Sequence, residues 1–119
     1  MTAAPAVDKT PELIGRIRGF LTDGEVREVR MFGVVAFMID DVMAVGVRTD
    51  GSLLVRVDPA EDPLLLEKPY ASRAELGSGR SMGAGWIRVE ATALRTDAGL
   101  TGWLAAATRY LDHRKLASN

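Results

Sequence analysis

Apolar and polar residues alternate with a period of two between residues 26 and 58, and short clusters of turn-forming residues interrupt the alternation. This pattern is typical of consecutive β-strands that each bury one face. Asp40-Asp41 and Thr49-Asp50-Gly51 supply residues for tight turns, and Gly33 offers a bulge inside one longer, bent strand. The pattern predicts an antiparallel meander of four runs, at Val26–Phe32, Val34–Ile39, Val42–Arg48 and Ser52–Asp58.

Helical signals flank the meander. Thr10-Pro11-Glu12 provides a cap, a first-turn proline and an early carboxylate, and apolar residues follow at helical spacing as far as Gly24. Near the C-terminus, Asp97 is predicted to cap a last helix. Its apolar stripe consists of Leu100, Trp103, Leu104, Ala107 and Leu111. A short helix is also expected before Pro69, beginning either at Asp58 or at Asp62.

The remaining segments carry weaker signals. Ser72 to Gly85 is rich in glycine and is predicted to be a mobile loop, followed by a final strand at Trp86–Glu90. Strict alternation assigns two faces to the third strand. These are Met43, Val45 and Val47 on one side, with Ala44 and Gly46 on the other.

Composition limits the class of protein. A chain of 119 residues with 47% apolar residues is long enough for one compact domain with its own core. It has no cysteine and a single histidine, His113, so disulfide, thiolate and cysteine-zinc chemistry are excluded and an imidazole-based metal site is not expected. We predict a disordered segment over residues 1–9 and no cofactor. Because the N-terminus lacks a secretory pattern and the apolar runs are too short for a membrane span, we expect a cytoplasmic protein.

Four sequence blocks, in order, carry a resemblance to a known family. They are Arg30-Met31-Phe32-Gly33 with Phe37-Met38, then Met43-Ala44-Val45-Gly46-Val47, then Leu54-Val55-Arg56-Val57-Asp58-Pro59, and finally Gly79-Arg80-Ser81-Met82 leading to Gly85-Trp86 and Val89. The chain thereby resembles the N-terminal domain of the TfoX/Sxy family, bacterial proteins named for competence regulators. The resemblance implies an α+β domain over residues 10–117, with an antiparallel sheet packed in two layers against an N-terminal and a C-terminal helix.

Arginine-bearing positions within the matching blocks are the candidate binding site. We predict that a sheet face and loop bring together Arg30, Arg56, Arg80, Met82 and Trp86 to bind a partner or an anion. The alternative interpretation is that these arginines are solvated and paired with Glu28, Asp58 and Glu90.

Other candidate features have simpler explanations. The carboxylate pairs Asp40-Asp41 and Asp58 with Glu61 or Asp62 sit where turns and helix caps favour them, so a catalytic role is not expected. Gly15 and Gly19 share one face of the first helix, which indicates close packing against Ala44 and Gly46 or against a second subunit.

From these observations we expect a non-enzymatic protein-interaction module, with a link to transcriptional regulation suggested by the family resemblance. A small-ligand or anion-binding domain with an arginine-lined pocket is the alternative. Direct nucleic-acid binding is not expected at a formal net charge of -1. The sequence leaves the oligomeric state open, and a homodimer would form through a sheet edge or the Gly15/Gly19 face.

Overall fold

The computed structural model describes residues 10–22, 25–31, 33–76 and 79–117. Its helices are α1 (Thr10–Phe20), α2 (Asp62–Leu65) and α3 (Asp97–Ala117), and a 3₁₀ turn spans Ala91–Leu94. Its strands are β1 (Val26–Met31), β2 (Val34–Ile39), β3 (Val42–Arg48), β4 (Leu53–Arg56), β5 (Ala71–Arg73), β6 (Glu75–Leu76), β7 (Arg80–Ser81) and β8 (Trp86–Val89). The predicted disordered segment 1–9 and the predicted helix end at Gly24 lie outside the described residues.

The main sheet has six strands in the order β1-β2-β3-β4-β8-β5, and every neighbouring pair is antiparallel. The first four strands form the predicted meander, and β8 then inserts between β4 and β5. Together with α1 and α3, this sheet confirms the α+β class expected from the sequence.

One face of the sheet carries the hydrophobic core. Buried residues of α1, including Ile17, join strand residues such as Phe37 and Val55 and the whole predicted stripe of α3 in a single cluster. Ala36 and Leu54, at the alternate positions of β2 and β4, are buried but lie outside that cluster. The helices therefore cover one face of the sheet and leave the centre of the other face without a helix among the described residues. At the β4 end of that other face, Tyr110 of α3 reaches Arg56.

The predicted faces of β3 are wrong at its start. The register between β2 and β3 shifts between Phe37 and Met38, so that β3 has one extra residue at this point. Ala44 consequently joins Val45 in the core cluster. Met43 instead lies over Gly46 on the helix-free face, because a Cβ added to Gly46 would meet the Met43 methyl carbon at 2.5 Å.

Two tight turns set the meander. Asp40 and Asp41 have positive φ angles of 51° and 67°, and Ile39 pairs directly with Val42. These are the features of a two-residue hairpin turn of the type that matches the twist of the strands, in which aspartate is tolerated. Gly33, with φ of 75°, lies in a turn between two strands that pair with each other, so its predicted role as a bulge within one strand is wrong.

The segment predicted as a mobile loop contains three short strands. β5 is an edge strand of the main sheet and pairs with β8, while β6 and β7 form a small hairpin of their own. Residues 77 and 78 lie outside the described part. Strands of two or three residues are too short to show a period, which is why the sequence pattern missed them.

The helix starts also differ in detail from the prediction. The Thr96 hydroxyl oxygen accepts a hydrogen bond from the Gly99 N–H at 3.0 Å, so Thr96 caps α3 rather than Asp97. Asp97 instead forms an ion pair with Arg16 of α1. Of the two starts considered for α2, the structure has the one at Asp62, preceded by a turn in which the Asp58 carboxylate accepts from the Ala60 N–H.

A buried ion pair connects α2 to β5, the edge strand of the sheet opposite β1. The Asp62 carboxylate, only 3% exposed, accepts two hydrogen bonds from the Arg73 guanidinium, at 2.6 and 2.7 Å. It also accepts the Gly85 N–H at 2.8 Å. Hydrogen bonding from Arg73 holds the pKa of Asp62 below its usual value, against the opposing effect of burial, and the Gly85 N–H adds to the lowering.

We predict that Asp62→Asn lowers the free energy of unfolding by about 2–4 kcal/mol at pH 7, because it leaves the Arg73 charge without its counterion. Since the folded pKa of Asp62 is depressed, its contribution is present above the unfolded value of about 3.9 and lost as the pH falls through the folded pKa. Urea unfolding of both proteins at pH 7 and pH 3 measures this. Asp97→Asn, in a pair whose carboxylate is 75% exposed, is the control and should change little. An Asp62→Asn protein with the same free energy of unfolding as the wild type would contradict the prediction.

Helix glycines differ in what surrounds them. A Cβ at Gly15, Gly19 or Gly102 would meet nothing within 4 Å, whereas at Gly99 it would lie 2.1 Å from the Ala93 carbonyl oxygen. Gly15 and Gly19 therefore do not pack closely against the sheet, and that predicted explanation is wrong. The alternative, contact with a second subunit, stays a hypothesis.

We predict opposite effects for two substitutions in the same helix. Gly102→Ala should stabilise the protein by up to about 1 kcal/mol through helix propensity, since there is room for the methyl group. Gly99→Ala should destabilise it, because the backbone carbonyl of Ala93 cannot move aside cheaply. Thermal unfolding of the two variants tests this, and an equal shift in both would refute the packing argument.

Candidate functional site

The three predicted arginines do not share one surface. Arg30 is on β1 and Arg56 is on β4, separated by two strands and thus by about 14 Å across the sheet. Arg30 is directly opposite the core residue Val35, so its side chain begins on the helix-covered face. It lies on β1, an edge strand of the sheet. Alternation from the core residue Val55 places the Cβ of Arg56 on the other face, but Arg56 is the last residue of β4 and its guanidinium reaches Tyr110 of α3.

Arg56 and Trp86 are brought together as predicted. They are directly opposite each other on β4 and β8, and the guanidinium carbon lies 4.7 Å from the centre of the Trp86 ring. Tyr110 of α3 flanks the same guanidinium, with its ring centre at 5.1 Å. A guanidinium nitrogen also donates to the Tyr110 hydroxyl oxygen at 3.1 Å. We call these three residues the Arg56 cluster.

The Arg56 guanidinium has no carboxylate partner among the described residues. Two aromatic rings hold it in place by cation–π attraction, and its planar fork keeps further N–H donors for an incoming acceptor. Such a fork matches a carboxylate or a phosphate in two parallel hydrogen bonds. The cluster is therefore a positioned, half-buried cation that an anionic group can approach.

Backbone hydrogen bonds fix Trp86. Its carbonyl oxygen accepts from the Arg73 guanidinium at 3.1 Å and from the Ala74 N–H at 3.2 Å. The same guanidinium donates to the Gly83 carbonyl oxygen at 2.8 Å. The Asp62–Arg73 pair thus sets the position of the tryptophan that holds Arg56, and no sequence motif signalled this connection.

Arg80 and Met82 lie in and just after the small β6–β7 hairpin. Arg80 is exposed on β7, and the Met82 N–H donates to the Ala74 carbonyl oxygen at 2.9 Å. Within the described residues, no hydrogen bond, ion pair or cation–π contact joins either side chain to the Arg56 cluster. Of the five predicted residues, the structure therefore joins Arg56 and Trp86, and it adds Tyr110, which the sequence reading missed.

The carboxylates proposed as neutralising partners mostly bind elsewhere. Glu28 accepts hydrogen bonds from Arg18 of α1, which chiefly lower its pKa, and the charge of Arg30 adds a smaller effect. Asp58 lies 3.3 Å from the ring nitrogen Nδ1 of His113. The His113 side chain is 67% exposed.

Two shallow cavities contain arginines. One, of about 310 Å³, is lined by residues that include Arg16, Thr92 and Arg95. The other, of about 230 Å³, is lined by residues that include Arg30 and Thr49. Arg56 lines neither of these two cavities.

The described part of the chain has neither a metal-binding cluster nor a membrane-spanning helix. No group of three or more His, Asp or Glu side chains there is placed to hold a metal ion. No helix in residues 10–22, 25–31, 33–76 or 79–117 is long and apolar enough to cross a membrane.

The fold is an α+β domain whose antiparallel sheet is covered by helices on one side and carries an aromatic-bound arginine at the end of β4. The chain matches the TfoX N-terminal domain over residues 19–110, most of its length. It belongs to this family, as the sequence blocks predicted. No curated protein and no solved structure matches the chain.

Proposed function

We propose that this chain is a non-enzymatic, cytoplasmic protein-interaction domain that acts in transcriptional regulation. Its membership of the TfoX N-terminal domain family supports the regulatory link, through the resemblance to competence regulators. The residues support an interaction rather than a reaction, because the one histidine is exposed and the chain has no cysteine.

The Arg56 cluster is the observation that carries this proposal. A half-buried guanidinium held between two aromatic rings, with no carboxylate beside it in the described part of the chain, suits recognition of an acidic side chain. Arginine and tryptophan are also the residue types that most often dominate binding energy at protein interfaces. We propose that Arg56 binds a carboxylate of the partner.

Affinity capture with variants at this cluster tests the proposal. Tagged wild-type protein is incubated with nuclease-treated host lysate, and the bound proteins are identified by mass spectrometry. We expect Arg56→Ala to lose the partner and Arg56→Lys to weaken its capture, since lysine lacks the planar fork.

Arg80→Ala is the matched control, because Arg80 is exposed and outside the cluster. It should capture the partner as the wild type does. Capture that is unchanged in Arg56→Ala, or lost equally in Arg80→Ala, would contradict the assignment of Arg56. Absence of any stoichiometric partner would contradict the interaction function itself.

The 310 Å³ cavity favours a second candidate function, the binding of a small anion. Arg16 and Arg95 both line it, together with Thr92 and the acidic residue Glu12, and its volume is at the lower limit for small-molecule sites. Arg16 is already engaged with the Leu94 carbonyl oxygen and with Asp97, so Arg95 is the residue left to bind a ligand.

Thermal unfolding in increasing phosphate or citrate tests this second function. A bound anion should raise the midpoint by mass action, worth about 2.7 kcal/mol at a concentration 100-fold above Kd. Arg95→Ala should remove the shift and Arg80→Ala should leave it. A midpoint that does not respond to either anion would exclude the anion-binding function for these ligands.

A further inference from the structure

The helix-free face of the sheet has an unusual composition. Its outward positions on neighbouring central strands are apolar, and several of them are half-exposed. Ala36 and Leu54 are 0% and 5% exposed although neither belongs to the core cluster. The apolar centre comprises Val34, Ala36, Met38, Met43 and Leu54.

Gly46 contributes no side chain to this apolar centre. Gly46 lies between Ala36 and Leu54 in the register of the three central strands. The ends of the Met43 and Val34 side chains lie over it, 2.5 and 2.6 Å from where a Cβ would be. Methionine side chains are flexible and polarisable, which suits a surface that adapts to an apolar partner.

The charged residues at the strand positions of this face are all positive. Arginine occupies an outward position on four of the six strands, at Arg27, Arg48, Arg56 and Arg88. No outward strand position of the six-stranded sheet carries a carboxylate; strand alternation places Glu28 on the opposite face, across from Phe37. The chain as a whole has a net charge of -1, so this face differs in sign from the rest of the molecule.

Two of the four arginines are neutralised from the turns. Asp41 pairs with Arg27 at 2.9 Å and Asp50 pairs with Arg88 at 3.0 Å. Burial tends to raise the pKa of Asp50, but hydrogen bonds from Ser52 and from Arg88 outweigh it and lower the pKa to about 2. Arg48 and Arg56 have no carboxylate partner among the described residues.

The positions of Arg48 and Arg56 define a spacing. They lie at opposite ends of the apolar centre, two residues beyond Gly46 on β3 and two beyond Leu54 on β4. Four residues of strand correspond to about 13 Å, which is a little over two turns of an α-helix. A helix lying along the strands would place acidic residues at both arginines with an apolar stripe between them.

We propose that the helix-free face binds an amphipathic helix of a partner protein, whose apolar stripe is flanked by acidic residues about two turns apart. This inference rests on the proposed interaction function and specifies the chemistry of the partner. The sheet's central backbone groups are already paired within the sheet, so the occupant needs its own backbone hydrogen bonds, which a helix supplies.

Two other occupants fit less well. A second copy docked by the same face would bring Arg48 and Arg56 against arginines, which like-charge repulsion disfavours. Single-stranded nucleic acid prefers stacked aromatic platforms, but the apolar centre is aliphatic and Trp86 is its one aromatic neighbour at the outward strand positions.

Peptide selection on the full chain tests the chemistry. A random library of peptides of about 16 residues, roughly four helical turns, is displayed on phage and selected on the immobilised protein. We expect enriched peptides with apolar residues at helical spacing and Asp or Glu about two turns apart. Enrichment of basic peptides, no enrichment, or tighter binding of a mixed-sequence oligonucleotide would overturn the proposal.

The methionines then report where the selected peptides bind. In protein labelled with ¹³C at the methionine methyl groups, Met31, Met38 and Met43 report on the helix-free face, and Met82 reports on the segment after β7. We expect the first three resonances to shift on peptide addition and that of Met82 to stay. A shift at Met82 alone would place the site elsewhere and overturn the proposal.

Charge reversal separates this inference from the function on which it rests. Arg48→Glu should weaken the selected peptides roughly tenfold or more. Arg80→Glu, at an exposed position on β7, is the matched control and should bind them normally. Peptides that bind Arg48→Glu normally but fail to bind Arg56→Ala would preserve the interaction function and overturn the assignment of this face.

Discussion

The buried pair of Asp62 and Arg73 is the interaction on which the binding end of this fold depends. It joins α2, the edge strand β5 and the turn before β8 through one carboxylate and one guanidinium. A buried pair of this kind adds little net stability compared with apolar packing, but it leaves few alternatives for the groups it connects. Through the carbonyl oxygen of Trp86, the constraint reaches the ring that holds Arg56.

The two faces of the sheet have different roles because the helices cover only one of them. α1 and α3 bury the aliphatic strand residues opposite them and form the core. The helix-free face keeps small and flexible apolar residues, surrounded by arginines. A sheet that is apolar on both faces but covered on one is typical of a domain that completes its packing with a partner, which agrees with the interaction function we propose.

The distribution of charged residues connects the Arg56 cluster with the helix-free face. The chain is nearly neutral overall, yet the carboxylates near the helix-free face are confined to turns, where they neutralise Arg27 and Arg88. Arg48 and Arg56 remain without carboxylates in the described part of the chain, at the two ends of the apolar centre. Arg56 is further positioned by two aromatic rings, so the surface combines apolar contact with a fixed cation.

The sequence by itself determined the meander, the apolar stripe of α3 and the turn at Asp40-Asp41, because periodicity and turn chemistry are local properties. The family followed separately, from the resemblance of four sequence blocks. It also placed Arg56 and Trp86 in one candidate site, but grouped them there with Arg30, Arg80 and Met82. The tertiary structure alone decided the bulge that turns Met43 outward, the placement of β8 between β4 and β5, and the approach of Tyr110. These depend on which distant segments pair, and the energy that selects such pairings comes from contacts between residues far apart in the chain.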